Sequence, residues 1–349
     1  MKGRAVSFRP FRKPANCLLP KWMISSQPHP GSCLPAFSSS DNLHEVRFRL
    51  MTRTKSSLGL PAALAAATLW AIAGVFGKIL MRSGLSPAQL VFYRSALGSA
   101  VLLIVLFFGN RIRLKIALHD LPFLISLGIL GLALTQYTYY GAIQLMNVGL
   151  AILLEYLAPL WILLFERLWL KQPLTPAKIL ALLLALLGCS LVSAEAAGDA
   201  RISAYGLFLG IASGVCFAAY GLMSQKALKS YQEITVLFYS LLFTALFWRL
   251  VTSNHWAALQ RLDNFKIGLI LYVAILGTVV PFFLFVFALR HLEASQVGIA
   301  STLEPAVAAV IAWLYLGERL TPLQIMGGFF VLSAIVALRL KQPNGKMSN

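Results

Sequence analysis

Beyond residue 57 the chain is written in apolar runs of about 18–25 residues, each long enough to cross roughly 30 Å of hydrocarbon. Ten such runs are predicted, over 58–80, 87–108, 121–143, 149–170, 176–195, 203–225, 233–252, 266–289, 295–316 and 322–340. Lipid offers no water to their backbone N–H and C=O groups, so each run must be a helix. The breaks carry turn or charge signals: Ser83-Gly84-Leu85-Ser86-Pro87, Asn110-Arg111-Ile112-Arg113, Gln172-Pro173-Leu174-Thr175-Pro176, Gly198-Asp199 and Gly317-Glu318-Arg319. Composition agrees, with 58% of the 349 residues hydrophobic and 12% charged. A soluble domain is about 25% charged. An ordinary soluble enzyme is therefore excluded, and the fold class expected is an all-α integral membrane protein of ten transmembrane helices.

A net charge of +18 would suit a nucleic-acid binder, but its distribution argues otherwise. Residues 1–57 hold 10 of the 30 Lys and Arg, together with six prolines and only Asp41 and Glu45 as acids. This stretch shows no apolar period, and its composition predicts a disordered basic tail. Three readings fit it: a cytoplasmic tail, an organellar transit peptide, or a start site assigned too early. The third is favoured, because Met51-Thr52-Arg53-Thr54-Lys55 reads as a short basic leader before the first span. Lys and Arg counted over the remaining loops and helix ends, with the N-terminus inside, number twelve inside and eight outside. That bias places both termini in the cytoplasm, with the charge facing anionic inner-leaflet lipids. No nucleic-acid partner is expected, because aromatic and basic residues do not interleave.

The chain also repeats itself. At one ungapped offset of 146 residues, Pro159 meets Pro305, Leu174-Thr175-Pro176 meets Leu320-Thr321-Pro322, Phe92-Tyr93 meets Phe238-Tyr239, and Gly131 meets Gly277. The expected division is 1–57 as tail, 58–200 and 201–342 as five-helix repeats, and 343–349 as a C-terminal tail. Five is odd, so the second copy enters the membrane inverted. Inverted repeats underlie alternating access in many secondary transporters.

Several segments resemble the drug/metabolite transporter superfamily in its EamA-type branch. They are Gly277-Thr278-Val279-Val280-Pro281-Phe282, Ala300-Ser301-Thr302-Leu303-Glu304-Pro305 and Leu316-Gly317-Glu318-Arg319-Leu320-Thr321-Pro322. In the first half they are Trp70-Ala71 with Lys78, Tyr93-Arg94, and Leu154-Glu155-Tyr156-Leu157-Ala158-Pro159. The resemblance covers about 58–340. The first half departs from the second where Gln172 stands for Glu318 and Ala158 for Glu304. What the resemblance implies is a secondary carrier with a central cavity between the halves. Such carriers often export amino acids, other metabolites or drugs, in a bacterial case across the cytoplasmic (inner) membrane. An enzyme acting on a lipid or prenyl substrate and a non-transporting scaffold are the alternatives.

Ionisable groups at lipid depth are functional candidates by default. Arg94 and Glu155 each lie six or seven residues below the outer face, roughly 10 Å at the helical rise. They are expected to pair or to share an outer vestibule. Glu304 precedes Pro305 in the ninth span, where it takes a proton or a substrate amine, or bonds across helices. Protons are thus the candidate coupling ion. Lys78 either snorkels to the headgroups or meets a substrate anion. Gln136 and Tyr140 share a face of the third span, as a cavity wall or part of an interfacial aromatic belt. Trp70 and Trp161 line the cavity or pack. Pro159, Pro281 and Pro305 are expected kinks, because proline lacks an N–H. Cys17, Cys33, Cys189 and Cys216 form no CxxC, the histidines show no metal spacing, and no phosphate-binding lysine loop is present. No metal, cofactor or catalytic residue is expected.

Overall fold

A computed structural model describes residues 56–109, 111–146, 148–197, 203–253, 259–260, 262–316 and 321–339. The basic tail with its leader at Met51, the Gly198-Asp199 and Gly317-Glu318-Arg319 breaks, Cys17, Cys33 and the C-terminal tail lie outside the described residues. So does the Glu318 that answers Gln172.

All regular structure among the described residues is helical. The helices are α1 (Ser56–Arg82), α2 (Pro87–Gly109), α3 (Leu118–Leu145), α4 (Gly149–Leu168), α5 (Pro176–Ala197), α6 (Ala204–Ala227), α7 (Glu233–Val251), α8 (Asn264–His291), α9 (Ala294–Leu316) and α10 (Pro322–Arg339). Nine of them are long and apolar enough to cross a membrane, and the apolar part of α10, Pro322–Leu338, is shorter. Their outward surfaces are greasy, with Phe108, Leu118, Leu250 and Phe265 largely exposed. A surface of that kind is stable in lipid, and the chain is a multi-pass integral membrane protein.

The starts and ends follow from local chemistry. Ser203 and Asp263 cap α6 and α8 by accepting from the Gly206 and Lys266 amides. The Lys266 bonds also hold the Asp263 carboxyl below the usual range. Glu293 and Gln296 form a reciprocal capping box at the start of α9. Close approach follows from glycine. A Cβ at Gly188 would lie 2.7 Å from the Gly327 carbonyl, and a Cβ at Gly327 would lie 2.7 Å from that of Gly188. There α5 and α10 touch backbone to backbone, a packing that small residues permit.

Four helices are irregular, in two pairs 146 residues apart. A π-helical stretch interrupts α3 at Leu127–Ala133 and α8 at Ile275–Val279. The helix of α4 breaks after Glu155 and resumes at Ala158, while that of α9 breaks after Ser301 and resumes at Leu303. Adding 146 carries 129–133 onto the π-turn of α8 and Tyr156, the first residue of the α4 break, onto Thr302. The proline of each break explains part of it. Pro159 and Pro305 lack the N–H that would reach the carbonyls of Glu155 and Ser301 four residues back. Glycines sit at the crossings of the π-turns: a Cβ at Gly131 would lie 3.2 Å from the Cα of Tyr220 on α6, and one at Gly277 would lie 2.7 Å from the Cβ of Ala73 on α1.

The main packing partners are α5 with α10, α3 with α6, α2 with α7 and α1 with α8. At one end of the bundle, polar contacts join loops to helices. Thr235 Oγ1 donates to the Arg113 carbonyl at 2.8 Å, and Tyr239 Oη donates to that of Leu114 at 2.6 Å. Tyr231 Oη donates to Asp120 at 2.6 Å, and burial together with that bond holds its phenol above the usual range. Arg290 pairs with Glu233. Lys178 on α5 pairs with Glu293 before α9 and lies 3.6 Å from Glu166 on α4. Glu166 is 1% exposed.

Candidate functional site

The irregular segments flank a cavity with about 500 Å³ of space between atoms, part of it open to the outside. Its charged lining is Arg94, Glu155 and Glu304.

Arg94 on α2 is 4% exposed and held by three bonds. Its Nε donates to Thr278 Oγ1 at 2.7 Å, Nη1 to Tyr140 Oη at 2.5 Å and Nη2 to the Gly277 carbonyl at 2.8 Å. The local backbone explains the last bond. Residue 281 is proline, so the Gly277 carbonyl has no N–H four residues ahead. The π-turn presents that oxygen to the guanidinium, while Thr278 Oγ1 donates to the Val273 carbonyl at 2.7 Å. Arg94 is thus fixed by residues from both halves of the chain, with its charge kept beside the cavity.

Glu304 lies in the first turn after the break in α9, where the helix dipole favours a carboxylate. Tyr156, in the break of α4, donates to Glu304 Oε2 at 2.6 Å. The two broken helices therefore meet through one hydrogen bond at the cavity. Glu155, the last residue before the α4 break, lines the same space. Direct pairing of Arg94 with Glu155 is not formed. They share the cavity instead, with Arg94 turned to α3 and α8.

The rest of the lining is mostly aromatic, with Gln136, Thr135 and the small residues Ala73 and Gly74 beside the rings. Trp70 contacts Phe217, Phe282 and Phe285 with ring centroids 5.9, 4.9 and 5.5 Å apart. Gln136, Thr135, Tyr139 and Tyr140 supply the α3 wall. Of the residues anticipated from sequence, Trp70, Arg94, Gln136, Tyr140, Glu155 and Glu304 come together here. Lys78 and Trp161 do not line the cavity. Trp161 packs against the core. Pro159, Pro281 and Pro305 stand behind the lining, at the breaks and after a π-turn. Tyr156, Thr278, Tyr139, Phe217 and Phe282 went unpicked as lining or as Arg94's partner. Tyr156 had a signal, since it adjoins Glu155 three residues before a repeat-matched proline. Thr278 had none, because a threonine beside a glycine reads as ordinary helix packing.

Comparison with known proteins agrees with this architecture. The EamA-like transporter family matches twice, over residues 57–194 and 204–340. The threonine/homoserine exporter RhtA of Escherichia coli K12 is 31% identical over 244 residues, covering 70% of this chain and 77% of its own. An uncharacterised transporter of Archaeoglobus fulgidus is 30% identical over 278 residues, covering 74% and 93%. A solved crystal structure with 17% sequence identity superposes with a TM-score of 0.65 over 82% of this chain and 97% of its own, which shows a shared fold. Transport is what these relatives are named for, and the chain belongs to the EamA-like transporter family of the drug/metabolite transporter superfamily, as a transporter rather than an enzyme.

Proposed function

We propose that the protein is a secondary transporter that exports a small zwitterionic metabolite, an amino acid in first place, by alternating access. The observation that carries this is one cavity holding a fixed guanidinium and two carboxylates at the breaks of two helices. Arg94 suits a substrate carboxylate, and Glu155 and Glu304 suit an ammonium or a proton. The relative named for threonine and homoserine handles solutes of this kind.

Ten spans arranged as two inverted five-helix repeats, 58–200 and 201–342, are part of the proposal. The paired irregularities support it, and so does the packing. A two-fold exchange of halves carries α3–α6 onto α8–α1 and returns α2–α7 and α5–α10 to themselves. Both termini then face the cytoplasm, in a bacterial inner membrane. The Glu166–Lys178–Glu293 network lies at the cytoplasmic end and ties both broken helices to α5.

Purified protein in liposomes, screened with labelled zwitterions, monocarboxylates and amines, tests this reading. Zwitterion flux driven by a pH gradient is expected, with the gradient dependence lost in Glu155→Gln or Glu304→Gln. Failure of every zwitterion to move faster than in empty liposomes would overturn it.

A further inference from the structure

Four polar atoms beside the cavity have no hydrogen-bond partner among the described residues: both amide atoms of Gln136, Tyr139 Oη and Trp70 Nε1. Gln136 is 4% exposed and Tyr139 9%. All three residues line the cavity. Buried polar groups are as a rule hydrogen-bonded. A structural amide would bond a neighbouring helix, as Gln225 does by donating to the Leu292 carbonyl at 3.0 Å. Gln136 does not.

We infer that Gln136, Tyr139 and Trp70 form a neutral hydrogen-bonding subsite, which selects solutes that carry a hydroxyl or carboxamide besides their charged groups. This rests on the transport reading above and deepens it. The donor and acceptor inventory decides the class. Trp70 offers one N–H, the Gln136 amide offers donors and an acceptor, and the Tyr139 hydroxyl is both. A carboxylate, which only accepts, would leave the Gln136 oxygen unmet. An ammonium, which only donates, would leave the Trp70 and Gln136 N–H groups unmet. A hydroxyl or carboxamide meets both kinds.

The second half sharpens the assignment. Positions 146 residues beyond Gln136 and Tyr139 are Phe282 and Phe285. Phe282 lines the cavity, and both rings pack on Trp70. The neutral polar groups thus sit on the α1–α3 side and hydrocarbon on the α8 side. A solute with one polar side-chain group and a small apolar body fits both.

The test uses pairs of near-isosteric zwitterions that differ by a hydroxyl in place of a methyl: threonine against valine, and homoserine against norvaline. Wild-type protein in liposomes is expected to favour the hydroxylated member by about tenfold or more, because a site built to bond a hydroxyl leaves its own groups unpaired with the analogue. Gln136→Leu is expected to bring that ratio to within about threefold of unity, and Tyr139→Phe, which keeps the ring, to lower it in the same direction. No discrimination by the wild type, or full discrimination retained in both variants, overturns the subsite while leaving zwitterion transport standing. No zwitterion flux at all overturns the transport reading and the subsite with it.

Discussion

Helices α3 and α8 are two versions of one element, and they differ where it matters. Both carry a π-turn, and both place a glycine at a close crossing, Gly131 and Gly277. Yet Gln136, Tyr139 and Tyr140 on α3 answer to Phe282, Phe285 and Val286 on α8. The broken helices tell the same story. Pro159 and Pro305 match, while Glu155 answers to Ser301 and Glu304 to Ala158. Arg94 answers to Ser240, whose hydroxyl donates to its own helix at the Val236 carbonyl, 2.7 Å away. Backbone irregularity is present twice and charge once. The unmatched polar groups that line the cavity are the ones the proposed transport function assigns to the solute.

That contrast can be broken most severely at Arg94. Arg94→Met should lower flux by about 100-fold or more, because it removes the cation and strands its buried partners. Ser240→Ala at the equivalent site should change flux by less than about threefold, since it removes no charge and Ser240 does not line the cavity. Equal loss in both would end the distinction between scaffold and chemistry.

A second test compares the ends of the halves. Lys178, paired with Glu166 and Glu293, answers to Gln324. Lys178→Met leaves the buried Glu166 carboxylate without its cation and should destabilise the detergent-solubilised protein by about 3 kcal/mol. Gln324→Met should cost less than about 1 kcal/mol, as substitutions away from buried networks do. Thermal unfolding of the two variants checks this. A smaller effect than that of Lys178→Met is expected from Tyr156→Phe, which removes the donor to Glu304 and keeps the ring. It should cost about 1 kcal/mol in stability, the worth of one hydrogen bond, and shift the external pH at which flux is half-maximal. An unchanged pH profile would separate Glu304 from coupling.

Much of the fold was legible because hydrocarbon thickness dictates span length. The expected span at 121–143 is Leu118–Leu145, and that at 233–252 is Glu233–Val251. The prolines announced where α4 and α9 break. The π-turns were not legible, since Gly128, Gly131 and Gly277 also suit simple close packing. Depth arithmetic set Arg94 and Glu155 at one level, and both line the cavity. It could not supply Arg94's partners, because Thr278 and the Gly277 carbonyl are more than 180 residues away in the chain and reach it through tertiary packing. Lys78 looked equivalent to Arg94 by charge and lies off the cavity, one turn along α1 beyond the lining residue Gly74.

The central claim is that the shared cavity at the two broken helices binds the transported solute. Counterflow of labelled threonine in proteoliposomes, measured side by side for wild type, Arg94→Met and Lys78→Met, tests it most directly. The account predicts counterflow for the wild type and for Lys78→Met, and none above empty liposomes for Arg94→Met at equal incorporation. Wild-type counterflow by Arg94→Met would contradict it.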